Sequence, residues 1–357
     1  MTAASPVSPA DKPLHSPERP RADWLATQAH EDILEPELPI VDPHHHLWDR
    51  GGHRYLLDEL LTDTASGHRI VATVFVDCMA FYRADGPKAL RPVGEVEFAN
   101  GLAAMAASGA YVKRFGATQA NAGIVGHADL TLGAAVEPVL HALIAAGAGR
   151  FKGIRHAGGW DASPEVRNSH TNPPPDLYAD PVFRAGFARL APLGLSFEAW
   201  QYHPQLPQVL ALARAFPDTS IVLNHVGGPL GVGPYAGQAD TTFARWRQDM
   251  LTLAGCPNVT VKLGGLGMRI GVFDHFNWPR PPSSQQIAQA WRPWIVTAIE
   301  AFGPARSMFE SNFPVDQVSS GYAVLWNAFK RLAAGASADE QASLFSGTAS
   351  RVYRLAL

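Results

Sequence analysis

The run Val41-Asp42-Pro43-His44-His45-His46-Leu47-Trp48-Asp49 decides how the rest of this chain is read. It follows an apolar lead-in, Leu38-Pro39-Ile40, that starts a short buried strand. A strand turns successive side chains to opposite faces. The spacing therefore puts Asp42, His44 and His46 on one face, and His45 and Leu47 on the other. Two histidines two positions apart at a strand end can reach one bound ion or one substrate. A chance cluster in a solvated loop is the plain alternative, since the chain carries 14 histidines. Three in a row, framed by Asp42 and Trp48 and fed by a strand, favour function.

Outward from this run the chain alternates short apolar segments with Ala-rich helical ones. The strand segments are Ile40–Asp42, Ile70–Val76, Gly123–Gly126, Phe151–Arg155, Leu195–Ala199, Ile221–Asn224, Val259–Leu263 and Ser307–Glu310. Helical patterns lie between most of them, as at Glu95–Ser108, Ala134–Ala145, Pro181–Leu193, Gln205–Phe216, Phe243–Leu253, Gln285–Phe302 and Tyr322–Leu332. Such alternation predicts a parallel sheet with crossover helices, and eight units predict a closed (β/α)8 TIM barrel. An open doubly wound sheet is the alternative. It would carry a glycine-rich phosphate turn, and neither GxGxxG nor GxxxxGK[ST] occurs. Residues 1–35 read as an N-terminal arm, flexible and rich in Pro and Ser to about residue 22, with a short helix predicted from Trp24 to Leu34. Residues 36–357 read as one domain with no internal linker.

Bulk properties agree. Of the 357 residues 46% are hydrophobic and 17% charged, which suits a large core. A net charge of −3 and no long Lys/Arg block argue against nucleic acid and membrane surfaces as partners. A small-molecule substrate is expected, and a homo-oligomer is left open. Two cysteines, Cys78 and Cys256, make no disulfide framework and fit a reducing cytoplasm. No segment reads as a membrane span or a secretory signal.

In a barrel of this kind the active site lies at the C-terminal ends of the strands. The exits carry His44 and His46; Asp77; Arg155 and His156; Glu198, Trp200 and His203; His225; Lys262; and Glu310, Asn312 and Asp316. Scattered polar residues would not share this phase. Arg155 suits an anionic substrate group through its planar fork, with a surface ion pair as the alternative. Lys262 and Glu198 read equally as substrate contacts or as a buried ion pair. His225 on an exit opposite His44 and His46 favours the site over a packed core histidine. Tyr82, Trp160 and Trp200 would shape or roof the pocket. His68, His127, His141, His170 and His275 fall outside the exits and read as surface or loop residues.

The Asp-x-His-x-His-x-Trp opening at Asp42, His44, His46 and Trp48 resembles the amidohydrolase superfamily. Phe151–His156, Gln205-Leu206 after His203, Val222–Pro229, Ser311–Pro314 and the ending Phe345–Tyr353 are similar to its amidohydrolase-2 branch of lactonase-like TIM-barrel hydrolases. The resemblance covers nearly everything after residue 38. It implies hydrolysis of a lactone or related cyclic ester, with decarboxylase relatives in the same branch. It also implies that His44, His46 and His225 hold one divalent metal, zinc foremost, or polarise the carbonyl without one.

One position departs from the branch. Its Gly-Ser-Asp-Trp-Pro motif places an aspartate, general base and often metal ligand, where this chain has Asn312 in Glu-Ser-Asn-Phe-Pro. A neutral amide takes up no proton at pH 7. Glu310, two residues earlier, is the first candidate for the base, and Asp316 in the following loop the second. The sequence thus predicts a hydrolase of a small polar or carboxylated cyclic ester. A decarboxylase or a catalytically inactive ligand-binding barrel is the alternative.

Overall fold

The computed structural model describes residues 19–357. Its strands are β1 (Ile40–His45), β2 (Trp48–Arg50), β3 (His53–Tyr55), β4 (Ile70–Val76), β5 (Gln119–Gly126), β6 (Phe151–Arg155), β7 (Ser196–Ala199), β8 (Ile221–Leu223), β9 (Val259–Leu263) and β10 (Ser307–Phe309). Eight of them form one parallel sheet in the order β1-β4-β5-β6-β7-β8-β9-β10. The last regular strand ends before the expected Glu310, yet its continuation closes the barrel. Asn312 N donates to His44 O at 2.9 Å, and His46 N donates to Phe313 O at 2.7 Å. The fold is therefore the expected single-domain TIM barrel, and His44, His46 and Asn312 lie at the seam that closes it.

Apolar side chains fill both sides of the sheet. The helices pack on the outside through a core that includes Leu140, Phe183, Leu212, Trp246, Ile295 and Phe329. Inside, Val41, Val74, Val76, Val125, Val222 and Met308 form a lower layer, with Tyr353 from the final helix Thr348–Val352 and its end packed into it. No helix among the described residues is long and apolar enough to cross a membrane. Both cysteines are buried and unpaired.

Four local features depart from the sequence reading. The strand β1 is bulged between Asp42 and His45, so simple alternation fails. Asp42 accepts from Ser311 N (3.0 Å) and Tyr322 Oη (3.0 Å), bracing the β1–β10 seam instead of sharing the face of His44 and His46. The strand β5 begins four residues early and carries a bulge at Asn121, with φ +52°, whose N–H is taken by Thr73 Oγ1. A hairpin, β2–β3, turns through Gly51 and Gly52, both at positive φ, as a two-residue turn of this hand requires.

The fourth departure is the N-terminal segment. Residues 1–18 of the expected arm lie outside the described residues. The helix predicted to reach Leu34 spans only Ala22–Leu25. A short isolated helix is marginal in water, and here the barrel offers better partners. Asn327 and Lys330, on the helix Tyr322–Leu332, hold Leu34 N, Asp32 O, Leu34 O and Glu35 O. Trp24 Nε1 donates to Trp278 O, and Gln28 bridges Pro282 O and Gly321 N. Glu31 accepts from Ser284 N at 2.7 Å and from the Ser284 hydroxyl, at the N-terminus of the helix Ser284–Phe302. A carboxylate there satisfies an otherwise unpaired N–H and complements the helix dipole. Replacing Glu31 with Ala is expected to lower stability by about 1–3 kcal/mol, the usual cost of orphaning such donors. Urea unfolding measures it, and an unchanged midpoint would mean that the segment is not tied down through Glu31.

Candidate active site

A cleft of about 270 Å³ opens at the C-terminal end of the barrel. That size suits a small molecule. Its polar wall includes His46, Arg155, His170, His225 and Asn312, and Trp48, Trp200, Tyr202, Met268 and Ile270 supply apolar surface. Five of the sequence candidates, His46, Arg155, Trp200, His225 and Asn312, thus meet at one cavity.

A second group stands behind this wall. His44, Asp77, Lys262, Glu310 and Asp316 are buried, and none of them lines the cleft. Glu310 is the centre of the group. Its Oε1 accepts from His225 N at 3.0 Å and from His225 Nδ1 at 2.7 Å, and its Oε2 lies 2.7 Å from His44 Nδ1. Lys262 Nζ lies 3.3 Å from the same His44 nitrogen and 2.8 Å from Glu198 Oε2. Glu198 also accepts from Asn224 Nδ2 and from Tyr353 Oη. The Lys262–Glu198 ion pair is therefore the buried one, not a substrate contact.

The same geometry removes Glu310 and Asp316 as bases acting directly on a water in the cleft. Both oxygens of Asp316 are engaged, one by Gly267 N and the other by Asn312 Nδ2, each within 2.9 Å. Asn312 thereby keeps its carbonyl oxygen for the cleft. The expectation that Arg155 is a free anion clamp also changes. Its Nε donates to Asp77 Oδ1 at 2.5 Å, a second nitrogen donates to Asp77 O, and Nη1 lies 3.3 Å from His44 Nε2. One face of the guanidinium group is neutralised, and only part of it is left for a ligand.

Three expected residues lie elsewhere. His156 Nδ1 accepts from Leu130 N, and the ring packs edge-on against His127. His203 Nδ1 accepts from Leu230 N and fixes the loop after β8. The Tyr82 hydroxyl is buried without a hydrogen-bond partner and does not line the cleft. One residue read as loop belongs to the cleft. His170, in the long connection after β6, lines it, and its Nε2 lies 2.9 Å from Asp77 Oδ2. No spacing rule points to a residue so far beyond its strand.

Hydrogen bonds fix the tautomers of the cleft histidines. His46 Nδ1 faces Val76 O at 2.8 Å, and a carbonyl only accepts, so the proton is on Nδ1. His225 donates through Nδ1 to Glu310 and His170 through Nε2 to Asp77. Each ring therefore offers its other nitrogen as a lone pair. Burial, reinforced by Arg155, holds His46 and His225 well below the ordinary histidine value, so both are neutral. Neutral rings of this tautomer can ligate a metal or accept a proton. They cannot donate to a substrate carbonyl; among the protonated groups on the wall, Arg155 can.

Could the site hold a metal? His44, His225 and Glu310 offer ligand atoms within 4.8 Å of one another. Glu310 Oε2 is buried and makes no hydrogen bond of good geometry despite its closeness to His44. Two imidazoles and one carboxylate are a donor set suited to zinc. The residues fit such an ion, which would take the place of protons now shared between the rings and Glu310.

Comparison with known proteins agrees with this geometry. The amidohydrolase family model matches residues 41–355. The chain belongs to the amidohydrolase family. It is 33% identical over 344 residues to the uncharacterized protein y4mH of Sinorhizobium fredii, covering 89% of this chain and 99% of that one. An L-fucono-1,5-lactonase of Burkholderia multivorans is 32% identical over 177 residues, 49% of this chain and 57% of that protein. A crystal structure of an amidohydrolase from Burkholderia multivorans with bound zinc superposes with a TM-score of 0.66 at 26% identity, covering 89% of this chain and 99% of that one. This enzyme is thus an amidohydrolase-family hydrolase with a cleft where the family's barrels place their chemistry.

The buried acids make stability depend on pH. Burial raises Glu310 from 4.5 to about 8 and Asp316 from 3.8 to about 8. Both folded values lie above the unfolded ones, so the folded state holds protons that the unfolded chain releases. Their stabilising contribution is complete below the unfolded values and is lost as pH rises through about 8. The buried histidines, with folded values below 6.5, act only at lower pH. In chelator-treated protein the unfolding free energy should therefore fall between pH 7 and pH 8. A flat or rising profile in urea titrations across that window would show that these carboxyls are not held protonated.

Proposed function

We propose that this enzyme opens the ring of a small lactone by attack of water on the ring carbonyl. The observation that carries the reading is His225, pinned through Nδ1 by Glu310 beside Arg155 in a cleft sized for a small molecule. The partial likeness to L-fucono-1,5-lactonases supports it. A lactone carbonyl gains negative charge on oxygen as water adds. Arg155, held rigid by Asp77, stands ready to donate to that oxygen, and preorganised donors of this kind lower such barriers most. Trp48 and Trp200 would cover the apolar edge of the ring and exclude bulk water. Asn312, tethered by Asp316, would orient the substrate or the water through its carbonyl oxygen.

His44, His225 and Glu310 would hold a divalent ion, zinc foremost. When bound, the ion would supply Lewis-acid polarisation and a more acidic water. Metal analysis after dialysis without chelator should find about one zinc per chain, and Glu310→Gln should lose it. Zinc retained unchanged by that variant would place the ion elsewhere.

A panel of sugar lactones and carboxylated lactones, followed by acid release at neutral pH with and without zinc, tests the activity. At least one should be opened, and His225→Ala should lower kcat on it by about 10²–10⁴-fold. No acid release from any of them would overturn the reading. Carbon dioxide released from an aromatic carboxylate instead would assign the site to decarboxylation.

A further inference from the structure

We propose that His170, backed by Asp77, is the general base that takes the proton from the attacking water. The inference rests on the ring-opening reading above. It begins with a deficit. The branch aspartate that this chain resembles is Asn312 here, and an amide cannot be a base. The two carboxylates nearest in sequence, Glu310 and Asp316, stand behind the wall and are occupied. Among the described residues on the wall, the groups that can accept a proton are then the three imidazoles His46, His170 and His225.

Their surroundings separate them. His225 belongs to the cluster that fits a metal, and its lone pair lies in the field of both Arg155 and Lys262. His46 sits under the Arg155 charge and hands its proton to a neutral carbonyl, Val76 O. At both, burial and Arg155 disfavour an imidazolium; burial holds His170 below the ordinary histidine value too, but there the Asp77 carboxylate opposes it. His170 hands its proton to a carboxylate at 2.9 Å. That carboxylate is shared, Oδ1 with Arg155 and Oδ2 with His170. Burial alone would raise Asp77, but the Arg155 guanidinium and then His170 reverse this and hold it well below the usual carboxylate range. An ionised partner stabilises the imidazolium that forms on proton uptake and keeps the ring in the tautomer with Nδ1 free. The His170 side chain also keeps about 20% of its surface accessible, more than the 3% of His225, so water can reach it.

The step balances as follows. Water oxygen forms a bond to the ring carbonyl carbon while one water proton passes to His170 Nδ1. The tetrahedral oxyanion, facing Arg155, then collapses and the bond from carbonyl carbon to ring oxygen breaks. The ring oxygen leaves with the electron pair and takes the proton back from His170. The product is the open-chain hydroxy acid, and the base is restored. One aspartate thus places both the donor for the oxyanion and the acceptor for the water proton.

The test uses a lactone that the wild-type enzyme opens, with His170→Ala and His170→Gln. Both variants should keep the wild-type melting temperature and a near-normal KM. Their kcat should fall by about 10²–10⁴-fold, the usual range for loss of a general base. Added imidazole should restore part of the rate in His170→Ala, where the ring has left space, and not in His170→Gln. Retention of kcat within about threefold in both variants would overturn the role, since general bases are worth far more. A fall in kcat with no rescue would also overturn it, assigning His170 to positioning Asp77 and Arg155. If the wild type opens no lactone, the ring-opening reading itself fails, and the assignment of His170 falls with it.

Discussion

Lys262 and Glu198 lie 2.8 Å apart with no exposed surface, inside the barrel. A pair buried this deeply survives only when its remaining donors and acceptors are met, because desolvation otherwise exceeds the attraction. Here three side chains meet most of them. Tyr353 and Asn224 take the two oxygens of Glu198, and His44 takes the ammonium group. The final residues of the chain are thereby bonded to the first strand across the barrel interior. Glu310 joins this column to His225 and so to the cleft. The column beneath them holds His44 and His225 in place.

The same column explains why the wall is made of neutral imidazoles. Two cationic side chains, Arg155 and Lys262, approach His44 from opposite ring nitrogens at 3.3 Å. Burial strips a charged His44 of its hydration and both cations repel it, so its proton affinity falls. A ring that stays neutral keeps a lone pair. Lone pairs are what a zinc ion or a water proton requires.

What the sequence showed and concealed divides along physical lines. Strand exits were legible because short apolar runs end in polar residues at Asp77, Arg155, His225 and Asn312, and the parallel barrel brings such ends together. Depth was not legible. His44 and His46 are two residues apart with rings 4.9 Å from each other, yet one stands behind the wall and the other, one step nearer the mouth, stands on it. Glu310 and Lys262 likewise have the right phase and lie too deep. His170 was hidden for the opposite reason. It comes from a long connection with no periodicity, and only the folded path brings it to Asp77, 93 positions earlier in the chain.

The exchange at the end of β10 moves a carboxyl group rather than removing one. Against the branch motif, this chain replaces an aspartate by Asn312 and a glycine by Glu310. One carboxyl leaves the cleft surface and one appears a layer deeper, between His44 and His225. At the surface position an anion can meet water directly. In the deeper position it can hold two rings and complete an ion site, but it cannot touch a substrate. Such a move would strengthen whatever His44 and His225 bind and strip the cleft of the base beside it. With His170 as the proposed base, that loss is made good from the connection after β6, where Asp77, kept ionised by Arg155, lies 2.9 Å from the ring.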